Sequence, residues 1–347
     1  MIRGKSFFLA FFSLALVISF LADQKSAYAK KKSTENPQAN SKALDNYLKG
    51  RKAYLLFTPK GFKEAIEYYN KAIEIDPKFA PAYAGLGEVY SSIGYYKYEV
   101  REDYEDYFNR AYTNILKALS LDGNSRECKR ALALNYLHLR RLKDAEAVAR
   151  EVIEKYPDDA ESYYILWAAT GQNPESPYIK KALELNPNLV LAHVGLATAY
   201  FFKKGDYKKA TEHYRKALEL AASPQLHNYL GTALRTQGYL HQAVSEYKKA
   251  IELDPNFAPA YMNLGITMFF LNRFEDSISY QKKALLLNPN YPDAYYYLGR
   301  AYEKTNNPKE AIRHYETFIE LAGKYDKYAG YVASAKESIV RLGGSKR

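Results

Sequence analysis

The chain has 347 residues, of which 47% are hydrophobic, and a formal net charge of +11. This apolar content is sufficient for a buried core and excludes wholesale disorder. Cys128 is the single cysteine, which excludes an intrachain disulfide and a cysteine-based metal cage. Side-chain packing must therefore stabilise the fold.

Residues 1–29 have the features of an export signal. The basic residues Arg3 and Lys5 precede an apolar stretch from Phe7 to Ala22, and a small-x-small cleavage site ends at Ala29. We expect the mature chain to be exported, to a periplasmic or other extracytoplasmic location, with no membrane span after cleavage. If the signal is not cleaved, the apolar stretch becomes a candidate N-terminal membrane anchor, although a span needs about 20 residues.

A constant period of 34 residues marks the C-terminal half of the chain. Leu-Gly or Leu-Ala pairs begin at Leu196, Leu230, Leu264 and Leu298. A fixed period of this size is typical of proteins built from stacked repeats.

The unit that begins near Pro259 shows how the period predicts structure. Proline is tolerated in the first turn of a helix, because its missing N–H would be unpaired there in any case. Tyr261, Leu264 and Met268 then form one apolar stripe at helical spacing. Residues 271–273 form a turn, and a second helix runs to Asn288-Pro289. Because one helix pair cannot bury its apolar faces alone, neighbouring pairs must stack.

The period and its interruptions predict a series of segments along the chain. After the signal we expect a flexible polar linker, three N-terminal repeats with an insertion, one shortened irregular repeat, four C-terminal repeats, and a capping helix with a tail. The linker is 30–42, and the N-terminal repeats are 43–159 with the insertion at about 94–106. The shortened repeat is 160–189, the C-terminal repeats are 190–323, and the capping helix with its tail is 324–347.

The repeated pattern resembles the tetratricopeptide repeat family. The family's series of aromatic, Leu-Gly, Tyr and Ala positions is matched, in the last unit, by Tyr295, Leu298-Gly299, Tyr302, Ala311, Tyr315 and Phe318. Gln281 departs from the pattern, because an aromatic residue is usual there, and Gly323 replaces the closing proline. The resemblance implies an all-α, tetratricopeptide-type α-solenoid, a right-handed superhelix of antiparallel helix pairs with a C-terminal capping helix.

The resemblance also implies a concave groove, lined by the first helix of each pair, that binds a protein or peptide ligand. The family's groove positions correspond to Val194, Thr198, Phe201, Asn228, Thr232, Arg235, Met262, Asn263, Ile266, Phe269, Tyr296, Tyr297 and Arg300. Such a mixture suits apolar anchors together with hydrogen bonds to a peptide backbone. Alternatively, Phe201-Phe202 and Phe269-Phe270 pack against the next repeat. Asp293 stands where the carboxylate-clamp variant has a lysine, which disfavours capture of a C-terminal carboxylate.

Motifs for catalysis or metal binding are missing from the sequence. No zinc-protease, hydrolase, P-loop or dinucleotide fingerprint occurs. His193 and His227 occupy the same position of two repeats, which favours a structural role. We expect no enzymatic activity, no cofactor and no metal site. Lysine pairs such as Lys248-Lys249 indicate a solvated helix face, and export makes nucleic acid a poor partner.

Two functions remain open from the sequence. The first is a non-catalytic protein–protein interaction scaffold of the cell envelope. The alternative is an accessory subunit of a polysaccharide- or glycan-handling complex, because exposed tyrosines can stack on sugar rings. We expect Cys128 to replace a buried alanine and Trp167 to fill space in the shortened repeat. The oligomeric state is not predicted.

Overall fold

A computed structural model describes residues 37–99 and 102–343, and these residues form 17 α-helices and no β-strand. They divide into two compact units. Unit 1 contains the described residues up to 171 together with 177–187, and unit 2 contains 172–176 together with 188–343. The predicted signal and residues 30–36 of the predicted linker lie outside the described residues. The first helix begins at Pro37, inside the segment predicted as linker.

Unit 1 contains eight α-helices among its described residues. They are α1 (Pro37–Leu55), α2 (Pro59–Ile75), α3 (Ala80–Glu99), α4 (Glu105–Asp122), α5 (Arg126–His138), α6 (Leu142–Lys155), α7 (Ala160–Ala169) and α8 (Pro177–Leu185). Each odd-numbered helix packs against the next even-numbered one. The long α3 occupies part of the predicted insertion, and α7 and α8 have only 10 and 9 residues.

Unit 2 contains nine α-helices among its described residues. They are α9 (Val190–Ala199), α10 (Tyr207–Leu220), α11 (Pro224–Thr236), α12 (Leu240–Leu253), α13 (Ala258–Phe270), α14 (Phe274–Leu287), α15 (Pro292–Lys304), α16 (Pro308–Ala322) and α17 (Ala329–Arg341). The first eight pack as consecutive pairs, and α17 packs on α16, within the segment predicted as cap. The all-α solenoid class is confirmed.

Side-chain caps determine where several helices begin. The side-chain oxygens of Thr58, Ser125, Asp159, Asp206 and Ser223 each accept a hydrogen bond from the backbone N–H three residues later. Such a bond satisfies one of the four amide groups that have no partner inside the helix. The caps therefore stabilise the helix starts through residues that are local in sequence.

The turns inside the helix pairs share one backbone conformation. Gly238, Asn272 and Asn306 have φ values of 85°, 58° and 56° at equivalent repeat positions. Glycine and asparagine adopt this left-handed region more readily than other residues. The turn predicted at residues 271–273 is confirmed, since α13 ends at Phe270 and α14 begins at Phe274.

The first pair of unit 2 contains one extra residue in its turn. Tyr200–Lys204 form a π-helical turn after α9, and the left-handed residue that follows is Gly205, with a φ of 63°. It falls one residue later in the repeat than Gly238. A π-turn is a common way to accommodate a single inserted residue without ending the helix.

Close approach of paired helices requires glycine on the first helix. A Cβ atom added at Gly231 would lie 2.7 Å from a ring carbon of Tyr247, and one added at Gly265 would lie 2.8 Å from Gln281. Gln281 thus occupies the place of the ring. It is fully buried, and its Nε2 donates to the Met262 carbonyl at 3.2 Å.

Candidate functional site

The thirteen residues predicted to line a groove lie on the first helices of unit 2. They come from α9 with its π-turn, α11, α13 and α15. Six of them are buried, namely Asn228, Asn263, Ile266, Phe269, Tyr296 and Tyr297. The other seven are partly exposed. We call the surface formed by these thirteen residues and Phe270 the first-helix surface; whether it binds a ligand stays a prediction.

Two asparagines connect neighbouring repeats on this surface. Asn263 Nδ2 donates a hydrogen bond of 2.9 Å to Asn228 Oδ1, which joins α13 to α11. On α11, the Thr232 hydroxyl donates to the Asn228 carbonyl and accepts from the Tyr247 hydroxyl. Arg235 Nε donates to the same Tyr247 oxygen at 3.4 Å. The buried polar groups on α11 are thereby held in one network with α12 and α13.

An aromatic cluster surrounds Arg300. The guanidinium carbon of Arg300 lies 4.4 Å from the ring centre of Phe269, 5.8 Å from that of Tyr296 and 5.7 Å from that of Tyr297. Phe269 is buried against Phe274 of its own repeat and Tyr297 of the next. Phe269 therefore packs against the next repeat, as the alternative interpretation has it, and supports the surface from below; its predicted role in ligand binding stays a prediction.

Phe270 and Phe202 differ from the buried Phe269. Phe270 is 46% exposed, and its ring centre lies 6.0 Å from that of Tyr297. Phe202 on the π-turn is 77% exposed and contacts Phe201. Phe270 therefore adds accessible apolar area next to the Arg300 cluster. The sequence indicates Phe270 only as a packing residue, because adjacent phenylalanines at a helix end do not show which of them is covered.

A polar cavity of about 400 Å³ lies beside this cluster, between α15, α16 and α17. Arg300, Lys304 and Ser334 are among its lining residues. Glu303, also in the lining, forms an ion pair with Arg341 at 2.5 Å and accepts a hydrogen bond from the Tyr315 hydroxyl at 3.0 Å. The Glu303 carboxylate is therefore engaged by α16 and α17.

Unit 1 contains a buried ion network that sequence analysis missed. Arg130 binds Glu88 at 2.8 Å and Asp159 at 2.9 Å, while Arg51 pairs with Glu88 and Glu161. These residues join α1, α3, α5 and the start of α7, and only Glu161 is appreciably exposed.

The two buried carboxylates of the network respond differently to their surroundings. Burial raises the pKa of Glu88 and outweighs the opposing effect of Arg130 and Arg51. Burial also acts to raise the pKa of Asp159, but Arg130 and Arg126 hold it below its usual value. Asp159 further accepts the backbone N–H of Ser162 as the cap of α7. A buried charge is tolerated when it is paired and hydrogen-bonded in this way.

Cys128 and Trp167 occupy the positions predicted for them. Cys128 is fully buried and Trp167 is 1% exposed, so both act as packing residues.

His193 and His213 contact each other through their Nδ1 atoms at 3.2 Å, and the His213 ring stacks on Tyr200. Within residues 37–99 and 102–343, no group of three or more potential metal ligands occurs, and no helix is long and apolar enough to cross a membrane.

Consecutive helix pairs, a 34-residue period and glycine at the helix contacts define a helical repeat protein. Family models described as TPR repeat match residues 61–94 and 231–271. Models described as Tetratricopeptide repeat match residues 191–224, 258–291 and 292–325. The chain belongs to the tetratricopeptide repeat family, whose stacked helices provide extended binding surfaces.

Relatives with this repeat have low sequence identity to the chain. It is 24% identical over 213 residues to Anaphase-promoting complex subunit 7 of Dictyostelium discoideum, covering 60% of this chain and 34% of that protein. It is 23% identical over 243 residues to Hsp70-Hsp90 organizing protein 3 of Arabidopsis thaliana, covering 63% and 38%. The matched region thus spans just over a third of the length of these curated relatives.

Solved structures show the same fold. The APC/C hetero-tetramer Cut9-Hcn1 aligns with a TM-score of 0.67 and 17% identity, covering 87% of this chain and 57% of that one. PilW, a widely conserved type IV pilus biogenesis factor, aligns with a TM-score of 0.52 and 14% identity, covering 60% and 97%.

Proposed function

We propose that the chain is a non-catalytic protein–protein interaction scaffold and that unit 2 binds a peptide segment of its partner on the first-helix surface. The observation that carries this proposal is the exposed Phe270, which stands beside the supported Arg300 cluster on consecutive first helices. One relative, Hsp70-Hsp90 organizing protein 3, is named for organising other proteins.

The side chains of this surface can supply both affinity and orientation. Covering the exposed part of the Phe270 ring removes roughly 100 Å² of apolar surface from water, a gain of about 2.5 kcal/mol. The Asn263–Asn228 hydrogen bond uses one amide atom of each side chain. The Asn228 amino group and the Asn263 carbonyl oxygen are then available to pair with an extended peptide backbone.

A photo-cross-linking residue at position 270 tests the binding surface. We expect the full-length chain, expressed in its host, to form a covalent adduct with a specific protein from this position. The matched control is position 286 on α14, where Leu286 is 77% exposed on a second helix of the same repeat. Equal adducts from both positions, or none from position 270, would contradict binding on the first-helix surface.

We further propose that the scaffold acts in the cell envelope after export. Support comes from the basic start, apolar stretch and cleavage site within residues 1–29. A fusion of this segment to a reporter enzyme that is active only after export should show activity. Mass spectrometry of the mature chain should find Lys30 as its first residue. An inactive fusion together with an intact N-terminus in the cytoplasm would contradict this setting.

A further inference from the structure

Two arginines of the first-helix surface have no ion-pair partner within the described part of the chain. Arg235 has a hydrogen bond to Tyr247, and Arg300 has ring contacts. Unit 1 differs, because the arginines on its first helices, Arg51, Arg126 and Arg130, are all paired with carboxylates. Among the first-helix arginines of the described residues, those without an ion pair therefore lie in unit 2.

The contacts of Arg300 leave its hydrogen-bonding edge available. Its guanidinium lies over the Phe269 ring, with 4.4 Å between the guanidinium carbon and the ring centre. A contact of this kind forms no hydrogen bond with the five N–H groups of the guanidinium. Arg300 therefore retains donors that match the two oxygens of a carboxylate.

Tyr297 connects the two arginines with the exposed ring of Phe270. The Phe270 and Tyr297 ring centres lie 6.0 Å apart, and Arg300 lies 5.7 Å from the Tyr297 ring. Burial raises the pKa of Tyr297, and the charges of Arg235 and Arg300 act in the opposite direction. Both charges therefore act on the same hydroxyl. The Phe270 ring, at 6.0 Å, and the Arg300 guanidinium, at 5.7 Å, both contact the Tyr297 ring, so an apolar contact point and a cation lie side by side.

We propose that this cluster recognises the side-chain carboxylate of an aspartate or glutamate inside an extended peptide, next to an apolar residue that covers Phe270. This inference rests on the proposed function. A carboxylate supplies the negative charge that would pair with Arg235 and Arg300. A bidentate pair with Arg300 fixes the register of the peptide. An internal residue is favoured over a chain terminus because the surface extends on both sides, to Thr198 on α9 and to the cavity beside α17.

The test uses a phage library of random peptides flanked on both sides by linkers, so that no peptide carries a free terminal carboxylate. The full-length chain should enrich peptides with Asp or Glu adjacent to an apolar residue. For one enriched peptide, changing the acid to its amide should weaken binding by about tenfold, since a charge-assisted hydrogen bond is lost. The same change should have little effect on binding to Arg300→Gln, which lacks the bidentate partner, and a reduced effect on binding to Arg235→Gln.

Controls separate this inference from the proposed function and from misfolding. Arg215→Gln removes an exposed arginine from α10 and should keep the tenfold discrimination. Arg235→Gln has only one long hydrogen bond to lose, so it remains informative if Arg300→Gln unfolds. Enriched peptides without acidic residues, or equal effects of the amide change on all variants, would overturn the inference and leave peptide binding intact. The absence of any enriched peptide would overturn both.

Discussion

The Arg130 guanidinium binds the Glu88 carboxylate at 2.8 Å, although the two residues lie on different helix pairs and both are nearly inaccessible to water. Arg130 also binds Asp159, whose other oxygen caps α7. One side chain therefore neutralises two buried acids and connects three repeats. This contact makes unit 1 dependent on charge pairing as well as on apolar packing.

Replacing Arg130 should destabilise the protein strongly. In Arg130→Met the Glu88 carboxylate keeps only Arg51, and Asp159 keeps only the partly exposed Arg126. Removing one partner of a buried pair typically costs about 3–5 kcal/mol. Chemical denaturation should show this loss. The control Arg150→Met removes an exposed pair with Glu146 and should cost about 0.5 kcal/mol or less. Similar losses for both variants would show that the network contributes no more than a surface pair.

The helix contact at Gly231 should not accept even a methyl group. In Gly231→Ala the added carbon meets the Tyr247 ring at 2.7 Å, and such overpacking costs about 1–3 kcal/mol. Gly330 on α17 provides the control, because a Cβ there meets nothing within 4 Å. Gly330→Ala should be stabilising by about 0.5–1 kcal/mol through helix propensity. Thermal unfolding of both variants measures the contrast. A neutral Gly231→Ala would indicate that α11 and α12 can move apart freely.

His138 should make the free energy of unfolding of the protein depend on pH. Burial lowers the pKa of His138 to about 3, while its Nδ1 contacts the Ser91 hydroxyl at 2.8 Å. In the unfolded chain its pKa is about 6.5. Between these two pH values the unfolded state binds more protons, so the free energy of unfolding decreases as the pH falls below about 6.5.

The variant His138→Phe isolates this contribution. Its ring can still stack on Tyr95, whose ring centre lies 4.9 Å from that of His138, but it does not titrate. From about pH 6.5 to about pH 4, the variant should lose less stability than the wild type, by at most about 1.4 kcal/mol per pH unit. Urea denaturation at each pH gives the two curves. Parallel curves would show that His138 titrates alike in the folded and unfolded states.

Cys128 should not react with thiol reagents in the folded protein at a measurable rate. Burial raises the pKa of its thiol to about 12, and the side chain has no exposed surface. The thiolate is the nucleophile that attacks thiol reagents, so a native sample at mildly alkaline pH should react very slowly. The same sample unfolded in urea should react with one equivalent. Fast stoichiometric labelling of the native chain would show that α5 opens readily.

The architecture could be predicted because its determinants are local or periodic. The recurring Leu-Gly pairs predicted the helix pairs, and the turn at residues 271–273 follows from the same register. Cys128 and Trp167 were correctly interpreted as packing residues, since their repeat positions hold small or apolar residues elsewhere. In each case the relevant spacing lies within one repeat.

The candidate site was predicted only at the level of helix faces. The sequence placed Phe269 and Arg300 on first helices, but it did not show that Phe269 is buried beneath Arg300 while Phe270 is exposed. A shift of about 100° per residue separates neighbouring positions on a helix, so packing against the next repeat decides which ring is covered.

By itself the sequence determined a helical stack with a constant repeat, since apolar spacing and turn residues act over a few positions of the chain. Tertiary structure alone decided how charges are distributed over the first helices. Arg51 and Glu161 form an ion pair although 110 positions separate them, and Arg300 contacts aromatic rings and forms no ion pair within the described residues. Such pairings depend on how the repeats stack in space, because electrostatic energy is set by distance and burial and not by separation along the chain.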